Sequence, residues 1–323
     1  MKVLMTTDTV GGVLTYARDL SAALRARGAD VVVAELAEHE LEWSPDPWDH
    51  VAAAGERLLA LEERERPDVV HVNGYAYGAL PWRAPCVVVA HSDVCSWWRH
   101  VRAEEAPASW DRYREEVRAG LRAAGAVVAI TAAVARDVER EFGVRADVIH
   151  NGSPLPPSSP VKEPVVLGAG RLWDEAKNLA ALDAAAAGLA WPVVLAGDLG
   201  AAEATHARAV GRLDPGDLAD LRRRAAIFCS PARYEPFGLA ILEAARDRCA
   251  LVLGDIPSLR ELWDGAALFV DPDDPRPALE RLVADDALRE DLAARAQERS
   301  TRYAVPAEAY EGLYDEVAAS VRA

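Results

Sequence analysis

Short, unbroken apolar runs alternate along this chain with longer stretches in which apolar residues recur every three or four positions. The runs in the first half are residues 3–6, 31–35, 69–73, 87–91, 126–131 and 147–150, rich in Val or Ile. Uninterrupted apolar runs of this length predict parallel strands covered on both faces. Between them lie amphipathic stretches such as residues 14–27, where Leu14, Ala17, Leu20 and Leu24 share one side and Gly28 is placed to cap the helix end. The strand pattern restarts at residues 165–168, 193–196, 206–210 (the weakest), 227–230, 251–254 and 268–270, and residues 306–323 form a last amphipathic helix. Strand–helix alternation of this kind predicts an α/β, doubly wound parallel sheet, here twice over.

The two halves are separated by Gly152-Ser153-Pro154-Leu155-Pro156-Pro157-Ser158-Ser159-Pro160, too rich in Pro and Ser for regular structure and therefore a linker. The expected organisation is a first domain over residues 1–155, a second over 156–305, and a C-terminal helix over 306–323. Ligands of open α/β sheets sit beyond the C-terminal strand ends, so two such domains facing each other would enclose a cleft. Residues 179–197 imitate a membrane span, but Asp183 would cost roughly 2.5–3.5 kcal/mol at a membrane centre. Gly188 and Pro192 also interrupt the segment, which divides into a helix, a break and a buried strand. At the start, Thr6-Thr7-Asp8 follows the first apolar residues at once, leaving no signal-peptide apolar region. The expectation is a soluble cytoplasmic protein without a transmembrane segment.

Composition narrows the function classes. With 323 residues the chain has room for about two domains, and a net charge of −16 disfavours nucleic acid as a partner. The four cysteines, Cys86, Cys95, Cys229 and Cys249, are far apart and form neither a zinc signature nor a disulfide framework. Of the 36 basic residues only Lys2, Lys162 and Lys177 are lysine.

Chemistry-bearing residues fall at predicted strand ends. Thr9-Val10-Gly11-Gly12-Val13 opens a helix after the first strand, either as a tight turn or as a phosphate-binding loop; it lacks the G-x-G-x-x-G of nicotinamide enzymes. Gly168-Ala169-Gly170-Arg171-Leu172, with Lys177-Asn178-Leu179 following, pairs a guanidinium fork with a compact ammonium, a combination suited to a diphosphate. Solvated surface charge is the competing explanation, weakened for Lys177 by the scarcity of lysine. Glu235-Pro236-Phe237-Gly238-Leu239 leads into a largely apolar helix carrying Glu243, whose carboxylate needs partners that ligand hydroxyls would supply. His91 ends its strand and is either a cleft residue or a satisfied structural histidine. Trp97 and Trp98 begin an aromatic segment that is either a platform for a sugar ring or an apolar group, or a helix packed on its domain. Asp271-Pro272-Asp273 spells a metal-binding D-x-D but lies among acidic residues and reads as a solvated loop.

Taken in order, Gly11-Gly12, Pro67-Asp68-Val69-Val70-His71-Val72, His91, Ile149-His150-Asn151-Gly152, Gly170-Arg171-Leu172 with Lys177-Asn178-Leu179, and Glu235 through Glu243 resemble the retaining glycosyltransferases of family four. The resemblance runs over nearly the whole chain; its most specific element is the glutamate pair. It implies a GT-B fold of two Rossmann-like domains with a nucleotide diphosphate sugar as donor, and a C-terminal helix, residues 306–323, that crosses back to the first domain. By resemblance, Arg171 and Lys177 hold the diphosphate, Glu243 the ribose and Glu235 the sugar, with backbone N–H groups of Phe237, Gly238 and Leu239 nearby. Leu213 meets the base, the Gly11-Gly12 loop closes on phosphate, and His91 lies against the transferred sugar. His91, Glu235, Lys177 and Arg171 make the implied catalytic set, with no cofactor and no metal. Partners would be the donor and a glycan, lipid or small-molecule acceptor; oligomeric state is left open. Asp247-Arg248-Cys249-Ala250 replaces the family's usual Gly-x-Pro. The alternatives are a nucleotide-sugar 2-epimerase on the same fold and a non-catalytic sugar-nucleotide-binding protein.

Overall fold

The structure is a computed structural model that describes residues 1–9, 11–198, 200 and 203–322. Among the described residues twelve strands form, each where an apolar run predicts one. Six build the first sheet: β1 (Lys2–Asp8), β2 (Asp30–Leu36), β3 (Val69–Val72), β4 (Cys86–Ala90), β5 (Ala126–Ala129) and β6 (Asp147–Val148). Six build the second: β7 (Glu163–Ala169), β8 (Val193–Ala196), β9 (Arg208–Gly211), β10 (Ala225–Ser230), β11 (Ala250–Gly254) and β12 (Leu268–Val270). All the pairings are parallel. The central strands β3, β4, β8, β10 and β11 are buried throughout, which is why they read as solid apolar runs rather than alternating ones.

Strand order is β2-β1-β3-β4-β5-β6 in one sheet and β12-β11-β10-β7-β8-β9 in the other. Each order reverses direction once, between β1 and β3 and between β10 and β7. Helices leave the sheet on opposite faces at such a point, and a crevice opens at the strand C-termini. The reversal therefore selects two places for a ligand: the loops after β1 and β3, and the loops after β7 and β10.

The chain divides into two compact units, one of Met1–Gly152 with Val305–Ala323 and one of Ser153–Ala304. In the first unit, the Gly11–Ala26 helix starts three residues before the predicted one, and Gly28 ends it with φ +97°. The Ala307–Arg322 helix packs on this unit: Tyr310 and Tyr314 are fully buried, and the Tyr314 hydroxyl lies 2.6 Å from His71 Nδ1. In the second unit, the Leu179–Ala185 helix, a left-handed Gly188 and β8 reproduce the predicted helix, break and strand. Among the described residues no helix is long and apolar enough to cross a membrane. All four cysteines are buried and free.

The Pro- and Ser-rich segment has no regular structure, as expected, but it is fastened down rather than a free tether. Arg246, 5% exposed, donates from Nη1 to the carbonyls of Ser153 (2.8 Å) and Leu155, and from Nη2 to that of Tyr303 (2.8 Å). Ser158 donates to Asp247 (2.7 Å), and Gln297 donates to the Ser158 carbonyl (2.5 Å). Composition shows that these residues cannot build a helix or strand; it does not show that side chains from elsewhere satisfy their backbone. Arg246→Leu strands three buried carbonyls and is expected to cost about 2–4 kcal/mol, each charge-assisted bond counting for roughly 1.5–3 before relaxation. Urea denaturation measures the loss, and limited thermolysin digestion is expected to open the segment at residues 153–160.

Candidate functional site

The second unit's crevice is built by backbone first. β7 ends at Ala169, and the strand ends beside it are laced together: Gly170 donates to Ala196 (2.9 Å) and Gly197 to Gly211 (2.9 Å). A Cβ on Gly197 would collide with the Gly170 carbonyl, so this approach requires glycine. The chain then makes tight turns, with Asp174 NH donating to the Arg171 carbonyl and Lys177 NH to that of Asp174 (3.0 Å). The Ala176 carbonyl accepts from Arg233 NH (2.9 Å) and Tyr234 NH (3.3 Å), tying this loop to the loop after β10. Asn178, at φ +51°, donates to the carbonyls of Pro231 (3.2 Å) and Pro272 (2.7 Å), adding the loop after β12.

This lacing brings Lys177 and Glu235 together, with Nζ 2.6 Å from Oε2. The two side chains keep only 25% and 13% exposure, so the pair is largely withdrawn from water. The Ser258 hydroxyl holds the Glu235 carbonyl at 2.5 Å. Phe237 is 3% exposed, its ring edge-on to Tyr303 at 5.7 Å; its side chain anchors the loop. Gly238 takes φ +83°, a conformation that favours glycine, and starts the Leu239–Arg246 helix, whose first N–H groups lack intrahelical partners. Lys177, Glu235 and that helix N-terminus thus meet at the reversal of strand order.

Arg171 does not join Lys177. Its Nη2 donates to Asp174 (2.7 Å), and its guanidinium lies 5.0 Å over the Trp173 ring with the side chain half exposed. Glu243 is half-buried and already has a protein partner, Arg222 Nη1 at 2.5 Å. Arg222 is itself buried and also donates to Asp247 (2.6 Å). The premise that Glu243 depends on a ligand for its partners is therefore corrected. Sequence reasoning missed Arg222, one of three consecutive arginines. Its position four residues after Leu218, on the inward side of the Pro215–Arg224 helix, was the available signal. Leu213 follows β9 and is half-buried. Asp273 of the D-x-D is exposed and pairs with Arg233, and Asp271 accepts from Asp273 NH (3.0 Å). Among the described residues no group of three His, Cys, Asp or Glu is placed to hold a metal ion.

The first unit offers a different set at its own reversal. Gly11, at φ +80°, and Gly12 begin the first helix with open space where a Cβ would stand; Val10 between Thr9 and Gly11 lies outside the described residues. His91 follows β4, is 8% exposed, and has Nε2 2.8 Å from Asn73 Oδ1. Burial pushes it down to about 3, and pushes the neighbouring His71 down to about 4, so both are neutral at physiological pH. Trp97 and Trp98 are half-buried and edge-on to each other at 5.8 Å. They belong to a short helical segment, capped by Asp93, that Arg99 and His100 attach to Asp137.

Two carboxyl groups here are abnormal. Burial pushes Asp8 up to about 7. It does the same to Glu42, also to about 7, against the pull of the Tyr75 and Ala76 N–H groups and with help from the negative charge of Asp8. Both hold protons that the unfolded chain has already lost between about pH 4 and 7, so stability falls as pH rises through that window and levels off above it. Asp8→Asn is expected to flatten the decline. Melting temperatures at pH 5 and pH 8 check this: the wild type loses more than the variant between the two, and equal losses would show that Asp8 ionises normally.

Residues 10–155 match the family described as Glycosyltransferase Family 4, and residues 157–299 match Glycosyl transferases group 1. A segment is 37% identical over 114 residues to the phosphatidyl-myo-inositol mannosyltransferase of Mycolicibacterium smegmatis, covering 33% of this chain and 28% of the mannosyltransferase. The chain thus spans under a third of the length of the curated relative that it matches. Among solved structures, the sucrose-phosphate synthase of Thermosynechococcus elongatus superposes with a TM-score of 0.82 at 18% identity, covering 99% of each chain. Anabaena HepE in complex with UDP and glucose superposes at 0.74 and 18% identity, over 99% of this chain and 100% of the other.

Proposed function

The chain belongs to the group 1 glycosyltransferases of family 4, with the GT-B fold, and on that premise we propose that it moves a sugar from a nucleotide diphosphate sugar to an acceptor hydroxyl with retention and without a metal. The observation that carries this reading is the Lys177–Glu235 pair at the β7/β10 reversal. Lys177 and Glu235 neutralise each other across their 2.6 Å contact. A donor separates their tasks: its diphosphate takes the ammonium, and its sugar hydroxyls donate to the carboxylate.

As the glycosidic bond breaks, negative charge collects on the leaving phosphate. Lys177, the N-terminus of the Leu239–Arg246 helix, and Arg171 once turned from Asp174 are the groups that oppose it. Because the cations and N–H groups supply the counter-charge, no divalent ion is required by this scheme. Retention follows from attack on the face the phosphate leaves, with the departing phosphate oxygen taking the acceptor's proton. Glu243, braced by Arg222, binds the ribose hydroxyls, and Leu213 borders the base. His91 lies against the sugar. Support for a sugar nucleotide also comes from the neighbour solved with UDP and glucose.

The first test is a thermal-shift screen of UDP-, GDP- and ADP-sugars, since specific binding stabilises the folded state by mass action. With the donor identified, Lys177→Ala is expected to lower kcat/KM by on the order of 100–1,000-fold, as removal of one transition-state donor does. Lys177→Arg is expected to recover little of that loss, because a planar fork does not reproduce a compact ammonium against Glu235. Wild-type kinetics in the alanine variant would remove Lys177 from the site. Glu235→Gln is expected to abolish most transfer while the melting temperature stays close to wild type. Activity is expected to persist in EDTA; loss of turnover that Mg²⁺ or Mn²⁺ restores would overturn the metal-free scheme. Consumption of donor without any acceptor, giving a 2-epimer, would replace transfer by the isomerase reading.

A further inference from the structure

Asn73 directly follows β3 and is 6% exposed. Three hydrogen bonds hold it to Thr6 and His91, and its side chain also meets His71. Its backbone N–H donates to Thr6 Oγ1 (3.0 Å), its side-chain Nδ2 donates to the Thr6 carbonyl (2.6 Å), and its Oδ1 stands 2.8 Å from His91 Nε2. A carbonyl only accepts, so the bond to Thr6 assigns the nitrogen end of the amide to Thr6 and turns the oxygen end to His91. An amide oxygen only accepts as well, so His91 Nε2 must carry the proton. A neutral imidazole has one N–H, and Nδ1 is left with a lone pair. Tyr16, edge-on at 4.7 Å between ring centroids, packs against the imidazole.

We propose that Asn73 is a positioning residue that locks His91 in the Nε2–H tautomer, so that Nδ1 offers a substrate hydroxyl a lone pair and no proton. This deepens the transferase reading and rests on it for the substrate. It assigns His91 an acceptor-only role: the imidazole orients a hydroxyl of the bound sugar and does not act as a general acid. The titratable groups around it agree with a permanently neutral ring. They are His71 on β3, itself kept neutral by burial, Tyr16 on the first helix, and Tyr310 of the C-terminal helix behind Tyr16 at 6.3 Å. Asp93, two residues on, is bound to Ser96 through both carboxylate oxygens. The chain of contacts continues from His71 to Tyr314, so the C-terminal helix braces the same cluster.

The test is long-range ¹H–¹⁵N NMR of the full chain labelled at its seven histidines, with the His91 signals identified by their loss in His91→Gln. The wild type is expected to show Nε2 protonated and Nδ1 unprotonated, unchanged from pH 5.5 to 8. Asn73→Ala is expected to mix the tautomers and to lower kcat about 10–100-fold with a smaller change in donor KM, the scale of a misplaced reacting geometry. Asn73→Asp keeps an acceptor but adds a negative charge, which favours the imidazolium. That variant is expected to lose activity as pH falls from 8 to 6, while the wild type stays flat. A wild-type His91 that is protonated at pH 6, or that carries its proton on Nδ1, overturns the proposal without any variant. So does a tautomer that Asn73→Ala leaves unchanged. If no nucleotide sugar binds any of these proteins, the transferase reading fails, and the ring signals still decide whether Asn73 sets the tautomer.

Discussion

The candidate donor site depends on a backbone contact that involves no catalytic side chain: the Ala176 carbonyl receives the N–H groups of Arg233 and Tyr234. This pair of bonds joins the loop after β7 to the loop after β10, 58 positions apart at Lys177 and Glu235. A doubly wound sheet makes those strands neighbours and sends their following helices to opposite faces. The loops then face each other over the crevice with unpaired N–H and C=O groups that must find partners. Once Ala176 and Asn178 provide them, a lysine and a glutamate carried on the loops are held within 2.6 Å. The apolar strands thus fix the loops, and the loops fix the charges.

The two units treat charge in opposite ways. At the β7/β10 reversal the ionic groups are paired: Lys177 with Glu235, Arg171 with Asp174, and Arg222 with both Glu243 and Asp247. A cation held by a carboxylate in this way can exchange it for a phosphate, one anionic partner for another. At the β1/β3 reversal burial works against charge. His71 and His91 are kept uncharged by burial, and Asp8 and Glu42 hold their protons up to about pH 7. Such groups are suited to hydroxyls rather than phosphates.

Arg248 shows how a departure from the family pattern is absorbed. It stands at φ +61°, a left-handed backbone that favours glycine, immediately after Asp247, whose carboxylate binds Arg222 and Ser158. The polar residues at this turn also fasten the segment that begins the second unit. The same turn that closes the Glu243 helix therefore anchors the linker, and Arg246 completes the connection from the preceding position.

The sequence by itself determined the twelve strands, because burial on both faces forces continuous apolar runs that polar helix faces interrupt. It also determined the glycine and charged positions at strand ends, since those residue types are unusual there and lysine is rare throughout. Leu179 to Gly197 was legible for the same reason: Asp183, Gly188 and Pro192 contradict a membrane span locally. Only the tertiary structure decided the partners. Lys177 and Glu235 belong to separate motifs, and nothing in their spacing states that they touch. Arg222 hides among three arginines of which one faces inward, Asn73 reads only as the polar end of an apolar run, and Tyr314 gains its role only when the last helix brings it to His71. Pattern along a chain reports which side of an element is wet. Which groups meet inside depends on strand order and loop lacing, and these are set by contacts between residues far apart in sequence.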